Sequence, residues 1–156
     1  MQFANALLAT LLSATALAAP TLSPRAATSK SAMADVAQWT IESLKRVCDA
    51  ADTSCTWSFT IDTHAGDAPT TPCEFTVKGS GTQPASQTDS SGNACGAYTV
   101  GSGWSDQFGA DAGFTTLSVI DYASKLIVWP AYTDKQLAGG AVVTPDLSFA
   151  PTTVSW

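Results

Sequence analysis

The sequence predicts an all-β protein, a compact antiparallel β-sandwich or β-barrel stapled by two disulfides. Three observations favour this fold class. Short segments alternate apolar and polar residues, as half-buried strands do, and clusters of Gly, Pro, Ser, Thr and Asp separate them. No segment shows sustained 3.6-residue periodicity with helix caps. The four cysteines are an even number, as expected of a disulfide framework.

The N-terminus has the features of a secretory signal peptide. From residue 4 to residue 18 the chain is uncharged and apolar or small, and it ends in the small-x-small pattern "ALA". This apolar core is shorter than the roughly 20 residues that a membrane-spanning helix needs. We therefore expect a secreted, extracellular protein. Its predicted parts are a signal peptide at 1–18, a flexible N-terminal tail or short pro-segment at 19–36, and a single β domain at 37–156.

Composition and charge narrow the possible partners. The chain is 45% hydrophobic and 13% charged, which is typical of a globular domain. Its formal net charge is −6 at pH 7. Because an acidic chain repels phosphate backbones and anionic lipids, we expect neither nucleic acid nor a membrane surface as a partner.

The first predicted strand begins at Trp39, in the segment "WTIESLKRV". Strict alternation places Trp39, Ile41 and Val47 on one face. In the same register, Leu44 and Arg46 lie on the opposite face. The prediction for this strand is therefore that Val47 is inside and Arg46 outside.

The later strands follow in order. "TWSFTID" and "CEFTVKG" alternate cleanly, and "FTTLSVID" and "KLIVWPAY" are rich in β-branched and aromatic residues, which favours central strands. A hairpin turn is predicted at 121–124, and Pro130 should end or edge its strand. "GSGTQPASQTDSSGNACG" and "GWSDQFGADAG" are predicted loops, the former with a possible short strand around 86–88. "DKQLAGG" could form at most one helical turn.

The four cysteines imply two disulfides in an oxidising compartment. Three pairings are possible, and the sequence alone does not select one. We favour Cys48–Cys55 and Cys73–Cys95, because both would close loops between neighbouring strands. In the chain-entropy model these loops contribute about 2.5 and about 3.4 kcal/mol to stability.

The sequence offers few residues for catalysis. His64 is the only histidine, and no Gly-x-Ser-x-Gly elbow accompanies it, so a Ser-His-Asp triad is poorly supported. The only glutamates, Glu42 and Glu74, are best interpreted as surface carboxylates and not as a glycosidase pair. A zinc site would need cysteines that the disulfides already use. We therefore predict no enzymatic activity, no catalytic residues and no metal centre, with a small hydrolase as a weak rival hypothesis.

Calcium at the loops between strands is the one cofactor that the sequence leaves open. Three loops each carry a pair of aspartates, and carboxylates are suitable calcium ligands. Aspartate is equally common in turns without any ion, because its side chain accepts bonds from nearby backbone amides. The pairs are Asp49 and Asp52, Asp62 and Asp67, and Asp106 and Asp111.

The candidate recognition residues are Asp49, Asp52 and Trp104. The stretch "VCDAADTSCTW" is predicted to be a disulfide-clamped turn that presents Asp49 and Asp52 as a rigid acidic knuckle. Trp104, flanked by glycines and polar residues, is a candidate exposed aromatic for carbohydrate or protein recognition. The strand tryptophans Trp39, Trp57 and Trp129 are predicted to lie in the core.

Several segments resemble a known family of secreted fungal proteins. "WTIESLKRVCDAADTSCTWSFTID", "PCEFTVKG", "CGAYTVGSGWSDQFGADAGFTTLSVID" and "LIVWPAYTDKQL" are similar to the fungal secreted protein elicitors related to the Alternaria major-allergen family. The similarity runs from about residue 39 to residue 137. It implies a compact antiparallel β fold, two intrachain disulfides, secretion into the host apoplast and no known enzymatic activity.

The same resemblance implies a function. It suggests an effector or elicitor that host plant proteins recognise, namely defence or pathogenesis-related proteins or a surface receptor, with a hypersensitive-type response and primed defence. The alternative that remains open is a carbohydrate-binding or cell-wall-associated secreted module.

Overall fold

The computed structural model describes residues 36–155. The predicted signal peptide and nearly all of the predicted N-terminal tail lie outside this range, as does Trp156. No helix within the described range is both long and apolar enough to cross a membrane.

Ten strands and three short 3₁₀ turns make up this part of the chain. The strands are β1 (Trp39–Cys48), β2 (Ser54–Asp62), β3 (Thr71–Lys78), β4 (Ser90–Cys95), β5 (Tyr98–Ser105), β6 (Phe114–Asp121), β7 (Leu126–Val128), β8 (Ala131–Thr133), β9 (Leu147–Phe149) and β10 (Thr152–Thr153). The 3₁₀ turns are Ala85–Gln87, Ala110–Ala112 and Ala138–Gly140. The all-β prediction is confirmed.

The strands form two antiparallel sheets. The first sheet has four strands in the order β3-β2-β1-β9. The second has six strands, in the order β10-β7-β6-β5-β4, with β8 also pairing with β6. Both sheets contribute to one hydrophobic core, so the architecture is the β-sandwich of the two predicted alternatives.

Alternation along the strands builds this core. In β2 the inward residues Trp57, Phe59 and Ile61 are all buried, and Phe75 of β3 lies directly opposite Trp57. The Trp57 and Phe75 rings stack with centroids 6.2 Å apart. Strands β5 and β6 of the second sheet also contribute residues to this core. One of them, Leu117 of β6, is fully buried. Burial of this kind stabilises at about 25 cal/mol per Å² of apolar surface.

Strand β1 departs from the predicted alternation. Ser43 has a positive φ of 52°, and the pairing with β2 shifts between Glu42 and Lys45, which marks a β-bulge. The extra residue reverses the faces beyond it. Arg46 is therefore buried, and Val47 is 47% exposed, so the predicted orientation of both residues was wrong.

The disulfides are Cys48–Cys55 and Cys73–Cys95, and no described cysteine is free. The favoured pairing is therefore confirmed. Cys48 and Cys55 lie opposite each other in the β1–β2 hairpin. The other disulfide links β3 of the first sheet to β4 of the second, so it staples the two layers at one edge of the sandwich.

Three further predictions differ from the structure. Residues 86–88 are not a strand: the 3₁₀ turn Ala85–Gln87 lies there, and β4 follows it. Strand β5 extends through "GSGWS" up to Ser105, in a stretch predicted to be partly loop. Trp129 is 55% exposed, so its core assignment was wrong, because β7 ends at Val128. The predicted hairpin turn at 121–124 is confirmed between β6 and β7.

Candidate recognition surface

The acidic turn between β1 and β2 is held by its own aspartates. The Asp49 carboxylate accepts a bond from the Thr53 amide at 2.8 Å and another from the Thr53 hydroxyl. These bonds favour the ionised form, chiefly the one from the hydroxyl, and they lower the pKa of Asp49. Asp49 is exposed at the surface, as the knuckle hypothesis requires.

Asp52 has a different role from Asp49. It has a positive φ of 52° and is half-buried. Its carboxylate accepts bonds from the amide of Ser86, at 2.9 Å, and from the Ser86 hydroxyl. The Asp52 side chain therefore holds the 3₁₀ turn of residues 85–87 against the hairpin.

Arg46 continues these contacts toward the second sheet. One guanidinium nitrogen donates to the carbonyl of Ser86 at 2.9 Å, and the other lies 3.5 Å from the carboxylate of Asp134. The guanidinium carbon also lies over the Trp57 ring, 5.5 Å from its centroid, which is a cation–π contact. Because Arg46 is only 7% exposed, its charge depends on these partners.

Trp104 completes a polar network that runs from Asp52 through Ser86, Arg46 and Asp134. The indole N–H of Trp104 donates to the other oxygen of Asp134 at 2.9 Å. Trp104 is half-buried, so it is a bonded part of the sandwich and not the free aromatic that the sequence suggested. The structure thus connects Asp52 and Trp104, two predicted recognition residues that are distant in the sequence.

A second feature, which we call the aromatic cleft, has a volume of about 470 Å³. Among the residues lining it are Phe108, Asp111, Gly113, Phe114, Tyr132 and Lys135. Phe108 is 74% exposed and stacks on Phe114, with ring centroids 5.7 Å apart and planes at 26°. Asp111 and Lys135 place one charge of each sign at the cleft.

The polar network contacts one wall of the aromatic cleft, at Gly113. Gly113 lines the cleft, and its carbonyl accepts a bond from the Asp134 amide at 2.9 Å. A Cβ at position 113 would lie 2.3 Å from an oxygen of Asp134 and 3.2 Å from the Trp104 indole nitrogen. Only glycine allows this close approach, so Trp104 and Asp134 fix the position of the cleft wall.

Sequence reasoning missed the aromatic cleft. Phe108 lies in the segment "SDQFGADAG", which predicts a loop but gives no indication of what the ring contacts. The cleft forms because β6 pairs with β8, which brings Phe114 opposite Thr133. The one available signal was that Phe108 is a large aromatic residue among glycines and aspartates. Because it has no apolar neighbours at alternate positions, it does not belong to a predicted strand, and a role on the surface was a reasonable alternative.

His64 participates in a hydrogen-bond chain on the outer side of the first sheet. Its Nε2 lies 2.7 Å from the Thr40 hydroxyl, and its Nδ1 lies 3.2 Å from the Asp62 carboxylate. The Thr40 hydroxyl is in turn 2.8 Å from that of Ser148. The order hydroxyl, imidazole, carboxylate is that of a catalytic triad. Here it links the loop after β2 to strands β1 and β9.

The carboxylates that were considered for catalysis or metal binding are dispersed. Within residues 36–155, one group of three or more potential ligands lies within 4.8 Å, namely Cys48, Asp52 and Cys55. Both sulfurs of this group belong to the disulfide, so it offers no thiolate to a metal. Asp62 accepts a bond from the His64 amide, the usual role of an aspartate in a turn.

Comparison with known proteins agrees with the resemblance found in the sequence. The Effector TSP1 family matches residues 40–155, the greater part of the chain. A protein of Hypocrea virens (strain Gv29-8 / FGSC 10586) described as "Effector TSP1" is 51% identical over 152 residues, which cover 97% of each chain. The chain therefore belongs to the Effector TSP1 family and is a fungal effector.

Proposed function

We propose that this effector is secreted and acts on plants by protein–protein recognition without catalysis, and that its recognition triggers a defence or hypersensitive-type response. The partners in this proposal are host defence or pathogenesis-related proteins or a surface receptor. Two disulfides in a small chain support an extracellular site of action, because such bonds persist in oxidising compartments.

The aromatic cleft is the observation that carries the proposal. Phe108 keeps 74% of its surface in water although it is among the most apolar residues. Aromatic anchors over well-packed apolar pockets supply most of the binding energy at protein interfaces. Asp111 and Lys135 at the cleft would orient a partner through charge.

The rigidity of the aromatic cleft also supports recognition through it. The network from Asp52 to Trp104 fixes the wall at Gly113, so the cleft is formed before a partner arrives. A preformed site loses less conformational entropy on binding than a site that must be ordered.

Leaf infiltration with purified variants tests the proposal. Phe108→Ala should retain the fold and require about thirtyfold more protein for an equal response, since a hot-spot residue contributes about 2 kcal/mol. Tyr122→Ala is the matched control, because Tyr122 is a 53% exposed aromatic that follows the opposite end of β6. Equal responses to Phe108→Ala and wild type would contradict recognition through the cleft.

A carbohydrate-binding or cell-wall-associated module is the alternative, and the exposure of Trp129 favours it. An indole that is 55% exposed offers a flat face for stacking on a sugar. Retention on glucan or chitin that is lost in Trp129→Ala would support this alternative. Trp104→Ala is a useful companion, since the half-buried Trp104 should affect stability more than retention.

A further inference from the structure

Strand β8 borders the aromatic cleft, and part of its outward edge is already occupied. The amide of Asp134 donates to the carbonyl of Gly113 at 2.9 Å, which sets the hydrogen-bonding phase between β8 and β6. Since alternate residues of an antiparallel strand direct their backbone groups toward the partner, Ala131 and Thr133 direct theirs away from β6. The Thr133 amide donates to the Gln136 side-chain oxygen at 2.9 Å, and the Thr133 carbonyl accepts from the Gln136 amide at 3.0 Å. A strand added here could bond to Ala131 but not to Thr133.

A partner at the cleft is therefore better held through side chains than through a backbone ladder. A polyproline II segment meets this condition, because it has no internal hydrogen bonds and its backbone is solvated. Proline also has no N–H group, so it leaves no donor unpaired when it packs on an apolar surface. An amphipathic helix fits less well, because its anchors at i and i+7 lie about 10 Å apart. The ring centroids of Phe108 and Phe114 are only 5.7 Å apart.

The aromatic pair of the cleft presents an apolar ring face that is fixed in position. Phe108 lies in a tight turn, in which the Gly109 amide donates to the Asp106 carbonyl at 2.7 Å. Gly109 has a φ of 107°, a backbone conformation that favours glycine. The Phe108 ring stacks on Phe114, and most of the Phe108 side chain remains exposed. Because polyproline II segments dock on aromatic-lined grooves, this exposed ring is a suitable platform for prolyl rings.

Two charged residues that line the cleft complement such a segment. Asp111 is exposed and can pair with a basic side chain of the segment. Lys135 is also exposed, and its ammonium group has three donors and no acceptor. It can donate to a carbonyl of the segment, since the carbonyls of polyproline II make no internal bonds. The formal net charge of −6 on the whole chain favours the approach of a cationic partner.

We propose that the aromatic cleft binds a proline-rich segment of a plant protein, in the polyproline II conformation and with a basic residue beside its prolines. The prolyl rings pack on Phe108 and Phe114. The basic side chain pairs with Asp111, and Lys135 donates to a carbonyl of the segment. This inference rests on the proposed function, because it names the kind of partner segment that the same cleft recognises. A polyproline II helix is formed before binding, so its binding loses less conformational entropy than that of a flexible peptide.

Isothermal titration calorimetry of the purified protein with synthetic peptides tests the proposal. The probe is a peptide of consecutive prolines with one arginine, and the control peptide has alanine at every proline position. The control peptide should bind at least about tenfold more weakly, because it lacks both the prolyl rings and the preformed helix. Phe108→Ala should weaken binding of the proline peptide about thirtyfold, as expected of a hot-spot residue. Tyr122→Ala, the matched change of an exposed aromatic outside the cleft, should leave the Kd unchanged.

A charge swap tests the role of Asp111 in the same titrations. Asp111→Lys should raise the Kd of the arginine-containing peptide about fivefold, because it replaces an attraction with a repulsion. A peptide with glutamate in place of the arginine should show the opposite preference and bind Asp111→Lys more tightly than wild type. Asp67→Lys makes the same charge change in the exposed loop between β2 and β3, away from the cleft lining, and should leave both Kd values unchanged. Circular dichroism checks the fold of each variant.

Three results would overturn the proposal. One is a wild-type protein that binds no proline peptide up to about 1 mM, where even a weak complex would form. The second is equal affinity for the proline and alanine peptides, and the third is a folded Phe108→Ala variant with wild-type affinity. If the peptide fails to bind while the leaf response still requires Phe108, only the class of partner segment is wrong. If the peptide binds through Phe108 while the leaf response is unchanged in Phe108→Ala, the proposed function is wrong instead.

Discussion

The polar network that contacts the aromatic cleft allows a specific prediction about the free energy of unfolding. In Asp134→Ala the Trp104 indole loses its acceptor at 2.9 Å, and the Arg46 guanidinium loses its carboxylate at 3.5 Å. Arg46 is 7% exposed and would remain buried without a compensating negative charge. Asp134 is 36% exposed, so water already screens part of the ion pair in wild type.

The expected cost follows from these two interactions. A hydrogen bond to a charged acceptor contributes about 2 kcal/mol, and a partly screened ion pair contributes about 1 kcal/mol. Asp134→Ala should therefore destabilise the fold by about 3 kcal/mol, which lowers the melting temperature by about 12 °C. That is a large share of the roughly 5–15 kcal/mol available to a domain.

Urea unfolding followed by tryptophan fluorescence measures this effect, and a double-mutant cycle isolates its cause. Arg46→Met keeps most of the apolar packing on Trp57 and removes the buried charge. In the Arg46→Met background, Asp134→Ala no longer leaves a buried cation without a negatively charged partner. The double variant should therefore be more stable than the sum of the single effects predicts, by about 1–2 kcal/mol.

Additivity would refute this reasoning. If the two single effects add to within about 0.5 kcal/mol, Arg46 and Asp134 do not interact, since independent sites are additive to that precision. An unchanged denaturant slope is the necessary check that all variants unfold from comparable native states.

Three further predictions concern Tyr132, Tyr98 and His64. Among residues 36–155 the buried Tyr132 hydroxyl has no hydrogen-bond partner, so Tyr132→Phe should raise stability by about 1 kcal/mol in urea unfolding, and a loss of that size would contradict the assignment. Burial raises the pKa of Tyr98, with Asp121 adding to the effect, and burial likewise raises the pKa of Tyr132. Stability should therefore be fully retained below about pH 10 and should fall as the pH rises further, because these tyrosines ionise at a lower pH in the unfolded state than in the folded state. A urea midpoint that stays constant up to about pH 11.5 would refute this prediction. His64→Ala should cost about 1 kcal/mol through the lost bond to Thr40, and no hydrolytic turnover should depend on it; a wild-type ester or glycan hydrolysis abolished by this substitution would overturn the non-enzymatic assignment.

The parts of the fold that could be predicted depend on short-range patterns. Strands β2 and β3 alternate without interruption, so their buried faces are evident from the sequence alone. The preferred cysteine pairing was also correct, because each disulfide joins strands that follow one another in the chain. Turn residues at 121–124 marked the β6–β7 hairpin in the same way.

The parts that escaped prediction depend on single backbone angles or on long-range pairing. The bulge at Ser43 turns Arg46 inward. The residue types around Ser43 do not indicate that this serine has a positive φ. The apolar neighbours of Trp129 are typical of a core residue, but strand β7 ends at Val128, one residue before Trp129. The aromatic cleft requires β6 and β8 to meet, and the polar network requires both sheets to be in place.

Recognition of a rigid folded surface is tested most directly by infiltrating leaves, over a range of doses, with native protein and with protein whose disulfides have been reduced and alkylated. In the proposed function, the leaf response depends on a rigid folded surface held by Cys48–Cys55 and Cys73–Cys95. The leaf response should disappear together with the β-sheet circular dichroism signal. An undiminished response to the unfolded, alkylated chain would contradict it, because the host would then be recognising a linear segment.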